Sequence, residues 1–176
     1  KAALEELHNQ IYFKESENQP SVYPKQIAFN VIPQCDIFLD NNFTKEEMKL
    51  TWETHKILDP NIQVQATCVR VPVFNGHSEA VFFRVSKEIS REEIIKILDK
   101  APGLKVLDDP SSGDYPTPFE NATDTEDVYV GRIRSQSLDD DCWISMWIVA
   151  DNVYGKGAAL NAVQICEELL NVGSVK

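Results

Sequence analysis

Arg70 and His77 lie within Ala66–Val81, a stretch that reads ATCVRVPVFNGHSEAV. Arginine presents a planar fork of donors matched to a carboxylate or a phosphate. Histidine moves a proton near neutral pH. The stretch predicts an apolar strand carrying Arg70, a break at Pro72, a turn at Asn75-Gly76, and His77 at the start of a second apolar strand. A charged group on a buried strand and an imidazole at its exit can converge on one pocket. Taken singly, each has an ordinary alternative. A lone arginine in an apolar strand usually has a carboxylate partner or lies at an interface, and a lone histidine is more often structural. Together, across a Pro-and-Gly turn, they mark a candidate site that lacks a nucleophile. Cys68 shares the predicted face with Arg70, whose charge would favour a thiolate. Its mid-strand apolar setting instead reads as an inert buried cysteine.

A second charged pair, Glu46 and Lys49, falls on one face of a helix predicted from about Thr44 to Leu58. Thr44 and Glu47 form a capping box at its start. Spacing alone makes Glu46–Lys49 a solvent-exposed ion pair, and His8 and His55 read as solvated helix residues. Gly155-Lys156-Gly157 before the last helix lacks the full spacing of a phosphate loop, and no G-x-G-x-x-G occurs.

The elements that must position these groups begin with a helix over Ala2–Gln10, in which Ala3, Leu4 and Leu7 form one stripe. A polar loop over Lys14–Lys25 follows, then two short extended pieces within Ile27–Asp40, divided at Pro33. After the Thr44 helix, Asp59-Pro60-Asn61 leads into a strand over Ile62–Val73. Its alternation sets Ala66, Cys68 and Arg70 on one face. Strands are predicted over Ser78–Val85, Leu104–Leu107, Val128–Arg134 and Cys142–Ala150. Ser90 and Glu93 cap a helix ending at Pro102-Gly103, with Ile94, Ile95, Ile97 and Leu98 as a broad packing face. Asp108–Asp127 reads as a long surface loop, Asp139–Asp141 as a turn, and Ala158–Leu170 as a final amphipathic helix. Adjacent strands with short turns and irregularly alternating helices predict an α+β fold: a mixed, largely antiparallel sheet with helices on one face.

The 176 residues suffice for one sizeable core. No run of about 18 apolar residues exists, so a helical membrane span is not expected. A net charge of -11 opposes general nucleic-acid binding and requires any anion site to be locally basic. Cys35, Cys68, Cys142 and Cys166 have no zinc-type spacing, so no metal site is expected. Their even number permits disulfides, but they read as buried reduced thiols of a cytosolic protein.

IAFNVIPQCDIFLDN, TKEEMK, ATCVRVPVFNGHSEAV, VGRIR and WIVADNVYGKGAALNAVQI, in this order, resemble aspartate-β-semialdehyde dehydrogenase, from near the first residue to the final helix. The resemblance implies NADPH-dependent conversion of β-aspartyl phosphate to aspartate semialdehyde with release of phosphate, on the route to lysine, threonine, methionine and, in bacteria, diaminopimelate. It implies that His77 is the catalytic acid/base and that Arg70 grips the substrate carboxylate. Glu46 would bind the substrate amino group, Lys49 would help bind phosphate, and Asn152 would approach the nicotinamide. The surface-pair reading of Glu46–Lys49 is thereby reversed. The family fold, like the C-terminal domain of glyceraldehyde-3-phosphate dehydrogenase, implies a homodimer formed through the sheet. The implied compartment is the cytoplasm, or the plastid for a plant protein. N-acetyl-glutamyl-phosphate reductases share the plan but fit these motifs less well.

The family's dinucleotide-binding domain, its Asn-Cys nucleophile segment and its Ser-Gly-Ala-Gly segment have no counterpart in these residues. Cys68 does not match the nucleophile. The chain, opening at Lys1 without a signal peptide, is therefore expected to be an excised piece. Residues 1–150 would be the catalytic and dimerisation domain, and residues 151–176 a turn and helix returning to the cofactor domain that holds most of the NADP. Such a piece alone is expected to be inactive. The alternative class is a non-catalytic dimerisation or ligand-binding module on the same scaffold, which would have no need of four convergent polar groups.

Overall fold

The computed structural model describes residues 1–12, 21–138, 141–155 and 158–172. Most of the loop expected over Lys14–Lys25, two residues of the Asp139–Asp141 turn and part of Gly155-Lys156-Gly157 lie outside them. The chain divides into two compact units, Lys1–Phe74 and Asn75–Lys176.

In the first unit, helix α1 (Ala2–Tyr12) and helix α2 (Lys45–Ile57) flank extended segments. Leu7, Ile27, Ala28 and Ile32 form its core, with Tyr23 packed against them. Two α1 side chains hold the segment that supplies this core. Glu6 Oε2 accepts the N–H groups of Ser21 and Val22, and Gln10 Oε1 those of Ile27 and Ala28. The backbone donors of this segment are thereby satisfied without a sheet.

The strand expected over Ile62–Val73 is not one. It is an extended segment with a single antiparallel bridge, Ile32 to Arg70. The inward alternation holds for Val64, Ala66 and Cys68, whereas Arg70 is exposed rather than on a buried strand. The ladder stops because its next donors are missing or diverted. Pro72 has no N–H, the Cys68 N–H goes to Glu47, and the Gln34 N–H turns back to the Ile32 carbonyl.

The second unit is a four-stranded sheet in the order β1-β4-β3-β2. Its strands are β1 (His77–Val85), β2 (Leu104–Val106), β3 (Val128–Leu138) and β4 (Asp141–Ala150). β4 pairs antiparallel with β1 and β3, and β2 runs parallel to β3, so the sheet is mixed and largely antiparallel as expected. Helix α3 (Arg91–Leu98) covers one face. Ile94 packs there with Val130, Ile133, Ile144 and Met146, joined by Ile95 and Leu98. Ile97 is exposed, so the packing face is narrower than expected. Both predicted capping boxes, Thr44–Glu47 and Ser90–Glu93, are formed, each satisfying two orphan donors at a helix start. Helix α4 spans Ala159–Asn171.

The opposite sheet face carries Phe82 and Trp143, both exposed, together with Ser145 and Trp147. The expected surface loop over Asp108–Asp127 is in fact a pinned strap across the Trp147 end of that face. Pro116 is fully buried, its carbonyl accepts the Trp147 indole N–H at 3.1 Å, and a π-turn at Pro118–Ala122 buries Ala122. Gly131 is what admits the strap: a Cβ there would stand 2.3 Å from the Leu107 carbonyl oxygen and 2.5 Å from Pro116 Cδ. Of the four cysteines, only Cys142 is buried. Cys35 and Cys68 are half-buried and Cys166 is exposed, because the segments bearing them are less enclosed than their apolar neighbours suggest. Among the described residues no helix is long and apolar enough to cross a membrane.

Candidate functional site

In the first unit, Glu46 and Lys49 project from the opening turns of α2. Lys49 Nζ lies 3.1 Å from Glu46 Oε2, with the side chains 40% and 42% exposed. Glu46 raises Lys49 above the usual ammonium value, through the hydrogen bond and then through its charge. At that exposure the pair contributes only about 0.3 kcal/mol to stability. What it offers is two opposite charges, partly open to solvent, held on one helix face.

Arg70 is fixed by its backbone, which exchanges hydrogen bonds with Ile32 at 3.0 and 2.8 Å. Its guanidinium lies over the Tyr23 ring, 5.4 Å from the centroid, a cation–π contact that holds the fork while leaving its donors open. No ion pair among the described residues engages it. Among the described residues, the ordinary explanation of a strand arginine, a carboxylate partner, is therefore not met. Cys35 registers both groups: burial pushes its thiol up, opposed by Arg70 and reinforced by Glu46 and Glu47. Arg70, Glu46 and Cys35 thus share one electrostatic neighbourhood.

Glu47 ties these pieces together. It is 8% exposed. Its Oε2 accepts from the Thr44 N–H at 2.7 Å, and its Oε1 from the Cys68 N–H at 2.9 Å. The capping residue therefore also fastens the start of α2 to the segment that ends in Arg70. Spacing reveals the cap but not the second bond, made across 21 residues.

In the second unit, His77 opens β1, exposed at its side chain and paired across the ladder with Ala150. The preceding Gly76 has φ +100°, a conformation that strains any side-chain-bearing residue. Its N–H donates to Asn152 Oδ1 at 3.0 Å. With Oδ1 held by the Gly76 N–H, the Asn152 Nδ2 donors are available to a ligand acceptor such as a carboxamide oxygen. His8 stacks beside Tyr12, and His55 Nε2 lies 2.8 Å from the Ile62 carbonyl; neither joins these groups.

Among the described residues five carboxylates are held below their usual range, Glu93 and Asp109 at an exposed cap and turn, and Glu47, Glu6 and Asp151 by backbone donors that include those of other segments. For Glu47 the cause is the N–H groups of Thr44 and Cys68. For Glu6 and Asp151 burial pushes upward, but the backbone donors outweigh it. Groups with depressed folded values contribute stability above the unfolded carboxylate value of about 4, and lose it as pH falls through the folded value. Urea midpoints should therefore hold steady from pH 7 to about 5 and fall steeply below about 4. Glu47→Gln should flatten that fall; a midpoint that rises on acidification would contradict this account.

Each unit thus carries polar groups open to a ligand: an arginine fork and an oppositely charged pair on one helix face in the first, and an exposed histidine at a fixed strand start in the second. The family described as semialdehyde dehydrogenase, dimerisation domain, matches residues 1–154, and the chain belongs to it. It is 52% identical to aspartate-semialdehyde dehydrogenase of Legionella pneumophila over 149 residues, 84% of this chain and 42% of that protein. Among solved structures it is similar to aspartate semialdehyde dehydrogenase II from Vibrio cholerae, described as complexed with ASA. That match has TM-score 0.88 and 44% identity over 97% of this chain and 50% of that one. The aspartate semialdehyde dehydrogenase from Candida albicans, solved with NADP, matches at TM-score 0.65 and 29% identity over 84% and 46%. The chain spans about half the length of the curated relatives it matches.

Proposed function

We propose that this chain is the substrate-gripping and proton-moving part of an NADP-dependent aspartate-semialdehyde dehydrogenase. The reaction would interconvert β-aspartyl phosphate and aspartate semialdehyde, with phosphate as the second product, in lysine, threonine and methionine biosynthesis. The observation that carries this reading is the likeness, over 97% of the chain, to a dehydrogenase described as holding ASA, read here as aspartate semialdehyde.

The chemistry of the residues supports it. Arg70 offers two parallel donors to the substrate carboxylate. Glu46 accepts from the substrate amino group, and Lys49 supplies charge to phosphate. His77 accepts or returns a proton at the reacting carbon's oxygen or at the attacking thiol. Asn152 Nδ2 fits the carboxamide oxygen of a nicotinamide, a cofactor that supplies hydride when bound. We place the nucleophilic cysteine, and most of the dinucleotide site, in the part of the longer relatives that this chain does not match. Cys142 is buried and Cys35 carries a raised pKa, neither being the profile of an activated thiolate. The exposed Phe82 and Trp143, on the sheet face away from α3, provide an apolar surface for a second copy.

The test is NADP reduction with aspartate semialdehyde and phosphate. The enzyme that carries this chain should turn over only when phosphate is present, and the 176-residue chain alone should be silent. Activity with acetylated glutamate semialdehyde and none with aspartate semialdehyde would overturn the substrate. A silent enzyme would leave a binding module.

A further inference from the structure

Asp151 is 3% exposed, yet its carboxylate makes no ion pair among the described residues. It gathers backbone donors instead. Oδ1 accepts from Val153 at 2.8 Å, Tyr154 at 2.7 Å and Gly155 at 3.3 Å, and Oδ2 accepts from Asp124 at 3.0 Å. The two oxygens thus serve two different segments. Oδ1 shapes the turn that follows β4, and Oδ2 holds the end of the strap.

Both segments meet again at Gly76. From the β4 end, Asn152 Oδ1 takes the Gly76 N–H, and the Ala150 carbonyl oxygen lies 3.3 Å from where a Gly76 Cβ would stand. From the strap, Pro118 Cβ lies 3.1 Å from the same point. Pro118 is joined to Asp124 through the Thr123 N–H and hydroxyl, both of which donate to the Pro118 carbonyl. The walls of the Gly76 nest are therefore fastened to one another by a single buried side chain. Gly155 belongs to the same arrangement: a Cβ there would stand 2.7 Å from the Thr125 carbonyl oxygen and 3.2 Å from Asp151 Cβ.

We infer that Asp151 is a positioning residue for His77, fixing through Asn152 and Pro118 the Gly76 turn from which the imidazole projects. The inference rests on the proposed proton-moving role of His77. Asp151 does not reach a ligand, since its oxygens are buried and occupied by four N–H groups. It acts by setting where the next element starts. A proton-transferring group displaced by a fraction of an ångström loses rate long before the fold is lost.

The test uses Asp151→Asn and Asp151→Ala in the enzyme that carries this chain, with His77→Ala beside them. Asn keeps the Oδ1 acceptor but sets an amide nitrogen against the Asp124 N–H; Ala removes both. Below the melting temperature of each variant, Asp151→Asn should lower kcat about tenfold with KM for aldehyde and phosphate within about twofold, and Asp151→Ala should lose more. The Gly76 amide should exchange with solvent at least about tenfold faster in Asp151→Asn. A lower melting temperature with kcat and Gly76 exchange unchanged would overturn the inference, because that is what a merely structural acid gives. If Asp151→Ala does not fold, Asp151→Asn carries the test. A His77→Ala enzyme with full activity would refute the catalytic reading, and the inference with it. Faster Gly76 exchange in Asp151→Asn would then show that the turn had been held for another reason.

Discussion

In the enzyme proposed to carry this chain, His77→Ala is expected to reduce kcat for phosphate-dependent aspartate semialdehyde oxidation by about a thousandfold while KM moves less than about threefold. That magnitude is what a positioned acid/base contributes. The separation follows from where the residue sits. The His77 side chain is exposed and its backbone is held by pairing with Ala150, so truncation opens no cavity and breaks no ladder. Melting temperature should therefore stay within a degree or two of the parent. His77→Asn sharpens the result. Asparagine keeps a polar, hydrogen-bonding side chain but cannot take up a proton near neutral pH. If His77 merely oriented the substrate, Asn would restore much of the rate. If it moves a proton, Asn fails as badly as Ala. Steady-state kinetics of the three proteins decide between these, and recovery to within tenfold by Asn would reject the proton-moving role.

The largest stability loss is expected at a different acid. The Asp108 side chain is 1% exposed and sits at the β3 bulge between Gly131 and Arg134. Arg132 adopts φ 55° there, turning two successive N–H groups off the ladder. Asp108 Oδ1 takes the Arg132 N–H at 2.7 Å, and Oδ2 takes the Ile133 N–H at 3.0 Å. Oδ2 also pairs with Arg91 Nη2 at 2.8 Å, locking the start of α3 to the sheet edge. Asp108→Ala strands two backbone donors and weakens the seat of a guanidinium in one step. The expected cost is about 3 kcal/mol, or a melting temperature lowered by about 10 °C for a chain of this size. Asp108→Asn, which keeps one acceptor but aims an amide nitrogen at a donor, should fall between. Denaturant unfolding checks both. A loss below about 1 kcal/mol for Ala would mean that the bulge finds other acceptors.

What the sequence disclosed about this molecule was local. The capping boxes of α2 and α3 lie within four residues each, and their side chains answer one another as the spacing requires. The strands of the second unit were visible because their apolar residues alternate against a real core. The Ile62–Val73 segment alternates just as well, yet a ladder also needs free N–H groups, and there Pro72 and Glu47 remove them. Nor could periodicity reveal that β1 lies against β4, more than fifty residues on. The buried acids were the least legible of all. In a chain of net charge -11, Asp108 and Asp151 look like solvated surface residues, and Glu47 like a helix cap and nothing more. Their significance lies in backbone donors 21, 24 and 27 positions away, partners that only the folded chain brings near. Residue type and position mark Arg70 and His77 as candidates, whereas Glu46, Lys49 and Asn152 come forward as candidates only through resemblance, since spacing alone makes Glu46–Lys49 an ordinary surface pair.

The strap divides the open face of the sheet unequally. It roofs the Trp147 end, where Pro116 and the Leu107 carbonyl press on Gly131, and leaves the end carrying Phe82 and Trp143 bare. The footprint available to a second copy is thus off-centre on the sheet. Because a two-fold contact uses one patch twice, the offset of that patch would set how far the two sheets slide past each other in the proposed dimer. Gly131, by admitting the strap, would help set the geometry of the proposed assembly as well as the fold.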